Sequence, residues 1–303
     1  TVSGEAPKVW GQTIGTDKAP ILTGDSEKTV YVITGCGKGY SNNKSEAEKV
    51  HSNLGADFRC TECGKYEAPV LNKDVYEISN ASQLYWFAEY VNNGNTSAKA
   101  ILKENIVVNE NVLGADGKLA SDTSKFVSWA PIGNESRRYT GIFDGKGKTI
   151  SGLYFDDGGV NDVGLFGYVG SGGNVSNVGV VDSYFNGKNH VGGVCGENSG
   201  TIENCYNTGA VSGSDSVGGV CGVNCGTIKN CYNTGVVSGA ADAVGGVCGF
   251  NRGGTIKNCY FDSNNYGGGA VGANDEGTIT AVEDKTTAQF ESGEVCYLLQ
   301  GGQ

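Results

Sequence analysis

The chain has 303 residues, of which 51 are glycine, 11 are cysteine, 4 are proline and none is methionine. With 22 lysines and arginines against 33 aspartates and glutamates, its formal net charge is −11. So much glycine excludes long helices as the main element, since each helical Gly costs roughly 1 kcal/mol relative to Ala. The acidic charge argues against nucleic acid as a partner, and the chain has no apolar run long enough to predict a membrane span.

The first candidate site along the chain is a Cys-x-x-Cys-Gly motif at Cys60 and Cys63, which Cys36 and His51 precede. Four deprotonatable sulfur and nitrogen ligands suit a closed tetrahedral zinc site, and such a metal would supply folding energy to a polar region without a core of its own. The ligand spacing matches no specific zinc signature, and a disulfide stays open as the alternative. Residues 36–70 are therefore predicted to form a small Cys/His knuckle or linker, and no other feature of the chain requires a cofactor.

A short helix is predicted over residues 80–94. Asn80 with Gln83 three residues later has the arrangement of a capping box, and Gly94 suits the C-terminal end of a helix. Four apolar residues fall on one helical face between them: Leu84, Phe87, Ala88 and Val91. The same capping pattern recurs at residues 286–300, and both helices are expected to cover the open ends of a strand stack.

Between the two predicted helices, a glycine-flanked apolar motif occurs six times, at intervals of about 23 to 29 residues. The copies begin at Gly141, Gly164, Gly193, Gly219, Gly246 and Gly269. Two further sets of apolar residues follow in the same register: Ile150, Val175, Ile202, Ile228, Ile256 and Ile279, and then Leu153, Val178, Cys205, Cys231, Cys259 and Val282. A unit this small cannot bury its apolar face alone and must stack on its neighbours. The pattern predicts an all-β fold, a right-handed parallel β-helix of about six rungs.

Six of the cysteines belong to these repeats and are predicted to be core residues, because Phe, Leu or Val takes their place in other copies. They are Cys195, Cys205, Cys221, Cys231, Cys248 and Cys259. An asparagine stands between the last two apolar positions in three copies, at Asn204, Asn230 and Asn258. Two explanations stay open, a hydrogen-bonded asparagine ladder along the stack and the tolerance of Asn for turn geometry.

Residues 191–213 (VGGVCGENSGTIENCYNTGAVSG) and 217–239 (VGGVCGVNCGTIKNCYNTGVVSG) resemble the GLUG motif. Further, less close matches are residues 139–155, 163–185 and 244–260. Residues 75–94 are similar to the segment that commonly opens such modules, so the resemblance extends over about 75–303. The GLUG family occurs in large exported proteins of gut and oral bacteria, and its motif carries glycines and core apolar residues but no catalytic groups.

The resemblance also implies a division of the chain. Residues 9–24 and 292–302 look like consecutive pieces of family modules, but they stand here in the reverse order. Residues 1–35 are therefore expected to be the end of a preceding module that packs on the stack or on a neighbouring molecule. Residues 71–303 are expected to be the GLUG-type β-helix with its two helices.

The function that the resemblance implies is extracellular and non-enzymatic: adhesion or display at a bacterial cell surface, or a structural spacer between neighbouring modules. The partner would be a surface glycan or protein. Tyr206, Tyr232 and Tyr260 occupy equivalent positions of three repeats. They predict either an aromatic strip on which a glycan stacks or a packing contact between rungs.

An enzyme is the remaining alternative, since parallel β-helices include polysaccharide-processing enzymes. Glycosidases need two carboxylates at roughly 5–10 Å from each other, which on a stack would recur at equivalent positions of neighbouring rungs. The acidic residues here fall at turns and share no such position: Asp156, Asp157, Asp162, Asp182 and Asp215. The sequence therefore predicts a protein that is not an enzyme.

Overall fold

The computed structural model describes residues 54–301 and, before them, the backbone of four short strands. These are β1 (Val9–Gly11), β2 (Ile21–Thr23), β3 (Tyr31–Val32) and β4 (Tyr40–Ser41), paired antiparallel as β1–β2 and β3–β4. The chain forms two compact units, residues 1–67 and 68–303. The predicted boundary near residue 35 stays a prediction, and the expected packing of residues 1–35 falls outside the described residues.

The second unit begins with β5 (Val70–Asn72), β6 (Val75–Ile78), α1 (Ala81–Asn92), β7 (Lys99–Leu102) and β8 (Ile106–Val107). Its first repeats hold β9 (Ile142–Ser151), β10 (Tyr154–Asp156), β11 (Phe166–Val169), β12 (Asn174–Val181), β13 (Tyr184–Asn186), β14 (Asn189–Gly192), β15 (Cys195–Asn198), β16 (Thr201–Glu203), β17 (Tyr206–Asn207) and β18 (Ala210–Gly213). Then follow β19 (Asp215–Gly218), β20 (Cys221–Asn224), β21 (Thr227–Lys229), β22 (Tyr232–Asn233), β23 (Val237–Gly239), β24 (Val244–Gly245), β25 (Cys248–Arg252), β26 (Thr255–Asp262), β27 (Val271–Asp275), β28 (Thr278–Lys285), α2 (Thr287–Glu291) and α3 (Glu294–Leu299). No helix among the described residues is long and apolar enough to cross a bilayer.

Parallel pairing stacks these strands into sheets that run along one axis. The longest sheet passes through β6, β7, β9, β12, β16 with β17, β21 with β22, β26 and β28. The result is a parallel β-solenoid of about eight turns, or coils, and the predicted β-helix is confirmed. It has two coils more than predicted because those through β6 and β7 precede the first glycine motif. The right-handed sense stays a prediction from the general chirality of parallel connections.

The predicted core cysteines lie in register and are confirmed as core residues. Cys195 pairs with Cys221, Cys221 with Cys248, and Cys248 with Val271 of the last coil. All six repeat cysteines are at most 1% exposed. Burial raises the pKa of Cys221 well above its usual range, so this thiol stays protonated and serves as a small apolar side chain.

The asparagines between the last two apolar positions of the repeat, here called the bend asparagines, both adopt turn geometry and form a ladder. Asn204, Asn230 and Asn258 have left-handed backbones, with φ of 53°, 54° and 52°. Their side chains also form a ladder, in which Asn230 Nδ2 donates to Asn204 Oδ1 at 3.2 Å and Asn258 Nδ2 to Asn230 Oδ1 at 2.9 Å. The ladder continues through Asn177 to Asp144. The bend therefore supplies one hydrogen bond per coil along the axis.

A second asparagine ladder, which the sequence analysis did not predict, runs through the interior at the ends of β15, β20 and β25. The amide of Asn198 donates to Asn224 at 2.8 Å, Asn224 to Asn251 at 2.9 Å, and Asn251 to Asn274 at 2.7 Å. The first three side chains are fully buried, whereas Asn274 is exposed on the last coil. Each buried amide thus obtains its partner from the next coil.

The two ends of the stack differ. At the N-terminal end, Asn80 Oδ1 accepts from Gln83 N at 2.9 Å, as the capping pattern predicts, and Phe87 of α1 packs on Phe143 of the stack. At the other end the predicted helix 286–300 divides at Gly293, whose φ is 85°.

The two C-terminal helices lie beside the stack rather than across its end. Phe290 of α2 contacts Tyr232 with ring centroids 5.6 Å apart, and Asn258 Nδ2 donates to the carbonyl of Leu299 in α3 at 3.5 Å. Ile279 of the last coil remains 41% exposed, although its partner Ile256 is fully buried.

Candidate functional site

Two of the three predicted tyrosines form a stacked pair on the side of the solenoid. Tyr206 of β17 and Tyr232 of β22 lie in register, with ring centroids 4.8 Å apart and an angle of 2° between the rings. The Tyr206 ring lies over Gly179 of the preceding coil, where an added Cβ would come within 2.3 Å of the ring. Glycine at that position therefore makes room for the ring.

The third tyrosine does not extend the stack. Tyr260 pairs with Tyr232 in the backbone register, but it is only 3% exposed and its hydroxyl donates to Asn258 Oδ1 at 2.8 Å. Phe290 of α2 contacts the Tyr232 ring instead. Burial raises the pKa of Tyr232 to about 12, so its hydroxyl remains a hydrogen-bond donor at neutral pH.

The ring pair borders a groove of about 350 Å³ between the sheet and α3. Its walls include the two stacked rings and Phe290, and the bend amides Asn204 and Asn230 also line it. Aromatic faces with a few polar groups beside them are the usual composition of a small-molecule site.

The predicted zinc ligands fall partly outside the described residues. Cys60 and Cys63 share a tight turn, in which Gly64 N donates to the Cys60 carbonyl at 2.8 Å and Gly64 has a φ of 69°. Cys36 and His51 are outside the described residues. The turn is compatible with a metal knuckle, and the four-ligand site stays a prediction.

A cluster that the sequence analysis missed lies on neighbouring coils. His190 Nδ1 lies 2.8 Å from Asp162 Oδ1 and 3.6 Å from Glu197 Oε2. Within residues 54–301, these three side chains form the one group of three or more His, Cys, Asp or Glu whose ligand atoms lie within 4.8 Å of one another. The hydrogen bond to Asp162 raises the pKa of His190, burial opposes this, Glu197 raises it further and Arg252 lowers it.

The repeat alignment contains a signal for this cluster. Register pairs place Ser216 at the position of His190 on the next coil, and Val223 at the position of Glu197. His190 and Glu197 thus differ from the small or apolar residues that the next coil has at these two positions. On the other side, the Tyr168 hydroxyl donates to Glu197 Oε1 at 2.9 Å.

Comparison with known proteins supports the interpretation of the repeats as GLUG motifs. The model of the GLUG motif matches residues 187–212 and 240–265. Halomucin of Haloquadratum walsbyi is 39% identical over 93 residues, which are 31% of this chain and 1% of halomucin. A candidate Gly-rich membrane protein of Evansella cellulosilytica is 34% identical over 79 residues, 25% of this chain and 9% of that protein. The chain therefore corresponds to a small part of either relative.

A solved structure resembles most of the chain. It is that of a candidate immunoglobulin A1 protease from Bacteroides ovatus, with a TM-score of 0.52 and 22% identity over 73% of this chain and 70% of the other. A likeness at this identity shows the fold alone. The two family matches and the register between them lead to one conclusion: this chain carries GLUG-motif repeats, as the resemblance of its glycine and cysteine pattern implied.

Proposed function

We propose that this chain is a non-enzymatic module of an exported cell-surface protein, in which the solenoid is a rigid support for adhesion or display. The observation that carries the proposal is that the recurring residues make their contacts with the neighbouring coil. Cys221 is buried in the core, and Asn224 hydrogen-bonds two other coils. The repeat thus specifies stacking.

The motif glycines support the same conclusion. A Cβ added to Gly222 would lie 2.5 Å from the carbonyl carbon of His190, and one added to Gly249 would lie 2.4 Å from that of Ser216. Such distances are shorter than real Cβ contacts, so only glycine permits this close approach of two coils. The coils are therefore held at short range all along the repeats.

Two of the carboxylates at turns, Asp157 and Asp182, bind main-chain nitrogens, which supports a structural role over the polysaccharide-processing alternative. Asp182 accepts from the backbone nitrogens of Val112 and Leu113, at 3.2 and 2.8 Å. Asp157 accepts from Gly159 N at 2.9 Å. These contacts orient loops.

Surface labelling of intact cells tests the proposed location. Cells that produce the full-length protein are treated with a membrane-impermeant amine-reactive reagent, and peptides from residues 68–303 are then sought by mass spectrometry. We expect lysines such as the exposed Lys146 to be labelled in intact cells, while a cytoplasmic protein of the same cells stays unlabelled. Labelling of this chain only after lysis would contradict the proposal.

Glycan binding at the stacked tyrosines is the second candidate function, and the parallel rings beside the 350 Å³ groove favour it. The ring faces pack on Gly179, on each other and on Phe290, so a sugar would contact the ring edges that line the groove. A matched control exists on another sheet, where Tyr184 stacks on Tyr154 with centroids 6.3 Å apart. On a glycan array we expect Tyr206→Ala and Tyr232→Ala to lose binding and Tyr184→Ala to keep it. Equal signals from all three variants would refute this candidate.

We also propose the zinc knuckle of Cys36, His51, Cys60 and Cys63 as a structural element of residues 36–70. Support comes from the tight Cys60–Gly64 turn and from the ligand types. Metal analysis before and after chelation is expected to show one equivalent of zinc that depends on Cys60 and Cys63. Absence of zinc, or the same zinc content in Cys60→Ser as in the wild type, would contradict the knuckle.

A further inference from the structure

We infer that Asp162, His190 and Glu197 form a binding site for a divalent transition metal of the Zn²⁺ class on the side of the solenoid, separate from the cysteine knuckle. Their ligand atoms lie within 4.8 Å of one another. The imidazole nitrogen faces both carboxylates, at 2.8 and 3.6 Å. The three side chains come from two stacked coils, so the stacking itself assembles the site.

The distances suit a tetrahedral ion. Zinc bonds of about 2.0–2.2 Å to nitrogen and carboxylate oxygen place neighbouring ligands roughly 3.4 Å apart. The two distances from His190 lie on either side of this value. Small side-chain rotations therefore complete the coordination. Three protein ligands leave a fourth position for water or for a donor from another molecule.

The charges favour a divalent cation. With a neutral imidazole, the two carboxylates carry two negative charges in a half-buried place, where the side chains of His190, Asp162 and Glu197 are 27%, 14% and 15% exposed. A Zn²⁺ ion balances this charge, whereas an imidazole ligand disfavours Ca²⁺ and Mg²⁺, which take oxygen ligands.

The surroundings hold two of the ligands in place. The Tyr168 hydroxyl donates to Glu197 Oε1 at 2.9 Å, which leaves Oε2 on the side of His190. Asp162 and His190 both have left-handed backbones, with φ of 59° and 56°, as Ser216 does on the next coil at 54°. They therefore occupy one defined corner of the solenoid, and an outer hydrogen bond to a ligating carboxylate is typical of metal sites.

The fold does not require these ligands. The next coil forms the same corner and the same strand with Ser216 in place of His190 and Val223 in place of Glu197. A residue needed for stacking recurs in the stack, as the repeat cysteines and asparagines do. His190 and Glu197 contact each other, and the next coil has a different residue at both positions. This indicates a role other than stacking.

Zinc titration of the full chain tests the inference. The metal-stripped protein and the variants His190→Ser and Glu197→Val, which copy the next coil, are titrated with Zn²⁺ alone by calorimetry. The cysteine knuckle is common to all three proteins. We expect the wild type to bind one equivalent more than either variant, or to bind it at least tenfold more tightly, with unchanged melting temperatures before zinc is added. Equal stoichiometry and affinity in all three would overturn the site.

A second measurement observes the imidazole of His190 directly. The chain has two histidines, so His51→Gln leaves His190 as the single imidazole for nitrogen NMR. Addition of Zn²⁺ is expected to shift the Nδ1 resonance of His190, which the cysteine knuckle does not contain. An unchanged His190 resonance at saturating zinc would show that the cluster is an ion pair only.

Discussion

Replacing Asn224 by alanine removes the middle of the buried asparagine ladder. In the folded chain its amide nitrogen donates to Asn251 Oδ1 at 2.9 Å, its oxygen accepts from Asn198 at 2.8 Å, and that oxygen also accepts from Gly226 N at 3.3 Å. All three asparagine side chains are fully buried. Water therefore cannot replace the lost partners unless the coils separate.

The size of the effect follows from the groups left without a partner. Asn224→Ala leaves the Asn251 oxygen and the Gly226 nitrogen without these hydrogen bonds, and Asn198 retains only longer contacts to carbonyls, at 3.4 and 3.3 Å. A buried polar group without its partner costs about 1–3 kcal/mol. We expect Asn224→Ala to lower the free energy of unfolding by about 3–5 kcal/mol.

The same substitution at the exposed end of the ladder is the control. Asn274→Ala removes one acceptor of Asn251, which keeps its bond to the Gly254 carbonyl at 3.1 Å, and water can take the vacated place. We expect a loss of about 1 kcal/mol or less. Urea denaturation followed by circular dichroism measures both variants. Equal destabilisation, or a loss under about 1 kcal/mol in Asn224→Ala, would refute the role of the buried ladder.

Three further predictions concern single positions. Gly222→Ala should lower the free energy of unfolding by about 2–3 kcal/mol, because its Cβ would meet the main chain of the neighbouring coil. A melting temperature equal to that of the wild type would contradict this. In the native protein a thiol reagent should modify the exposed Cys296 and spare Cys221, which is buried and whose pKa is raised; modification of both at one rate would argue against the core assignment. The hydrogen bond from Lys229 lowers the pKa of Glu203 in the folded chain. The ionised Glu203 therefore stabilises the fold fully above the pKa of an unfolded Glu, about 4.3. This contribution is lost as the pH falls from there through the lower pKa of the folded chain. The stability difference between wild type and Glu203→Gln should therefore shrink from pH 6 to pH 3, and a difference that grows would contradict the ion pair.

The register of the stack was predictable because the neighbour of each residue is the equivalent residue one coil away. Cys205, Cys231 and Cys259 could be placed in the core from their exchange with Leu and Val alone. The two coils through β6 and β7 were not counted, since they pack in the same register without the glycine motif that identifies the others.

The candidate sites were predictable only in part. Equivalent positions placed Tyr206 and Tyr232 together, but the burial of Tyr260 depends on its hydrogen bond and on packing that the repeat does not encode. Asp162 and His190 occupy the same corner on neighbouring coils, but the residue type changes from coil to coil, so no recurring residue identified them. Their contact appears only when two coils are stacked.

By itself, then, the sequence determined the period, the strand register and the identity of the core, because a repeated contact leaves a repeated residue. The tertiary structure decided which surfaces remain available. Helices α2 and α3 occur once in the chain, so no repeat indicates where they pack. They lie beside Tyr232, which Phe290 of α2 contacts, and Ile279 of the last coil stays 41% exposed. The Asp162–His190–Glu197 cluster likewise depends on side-chain contacts made once in the stack, and single contacts leave no period to detect.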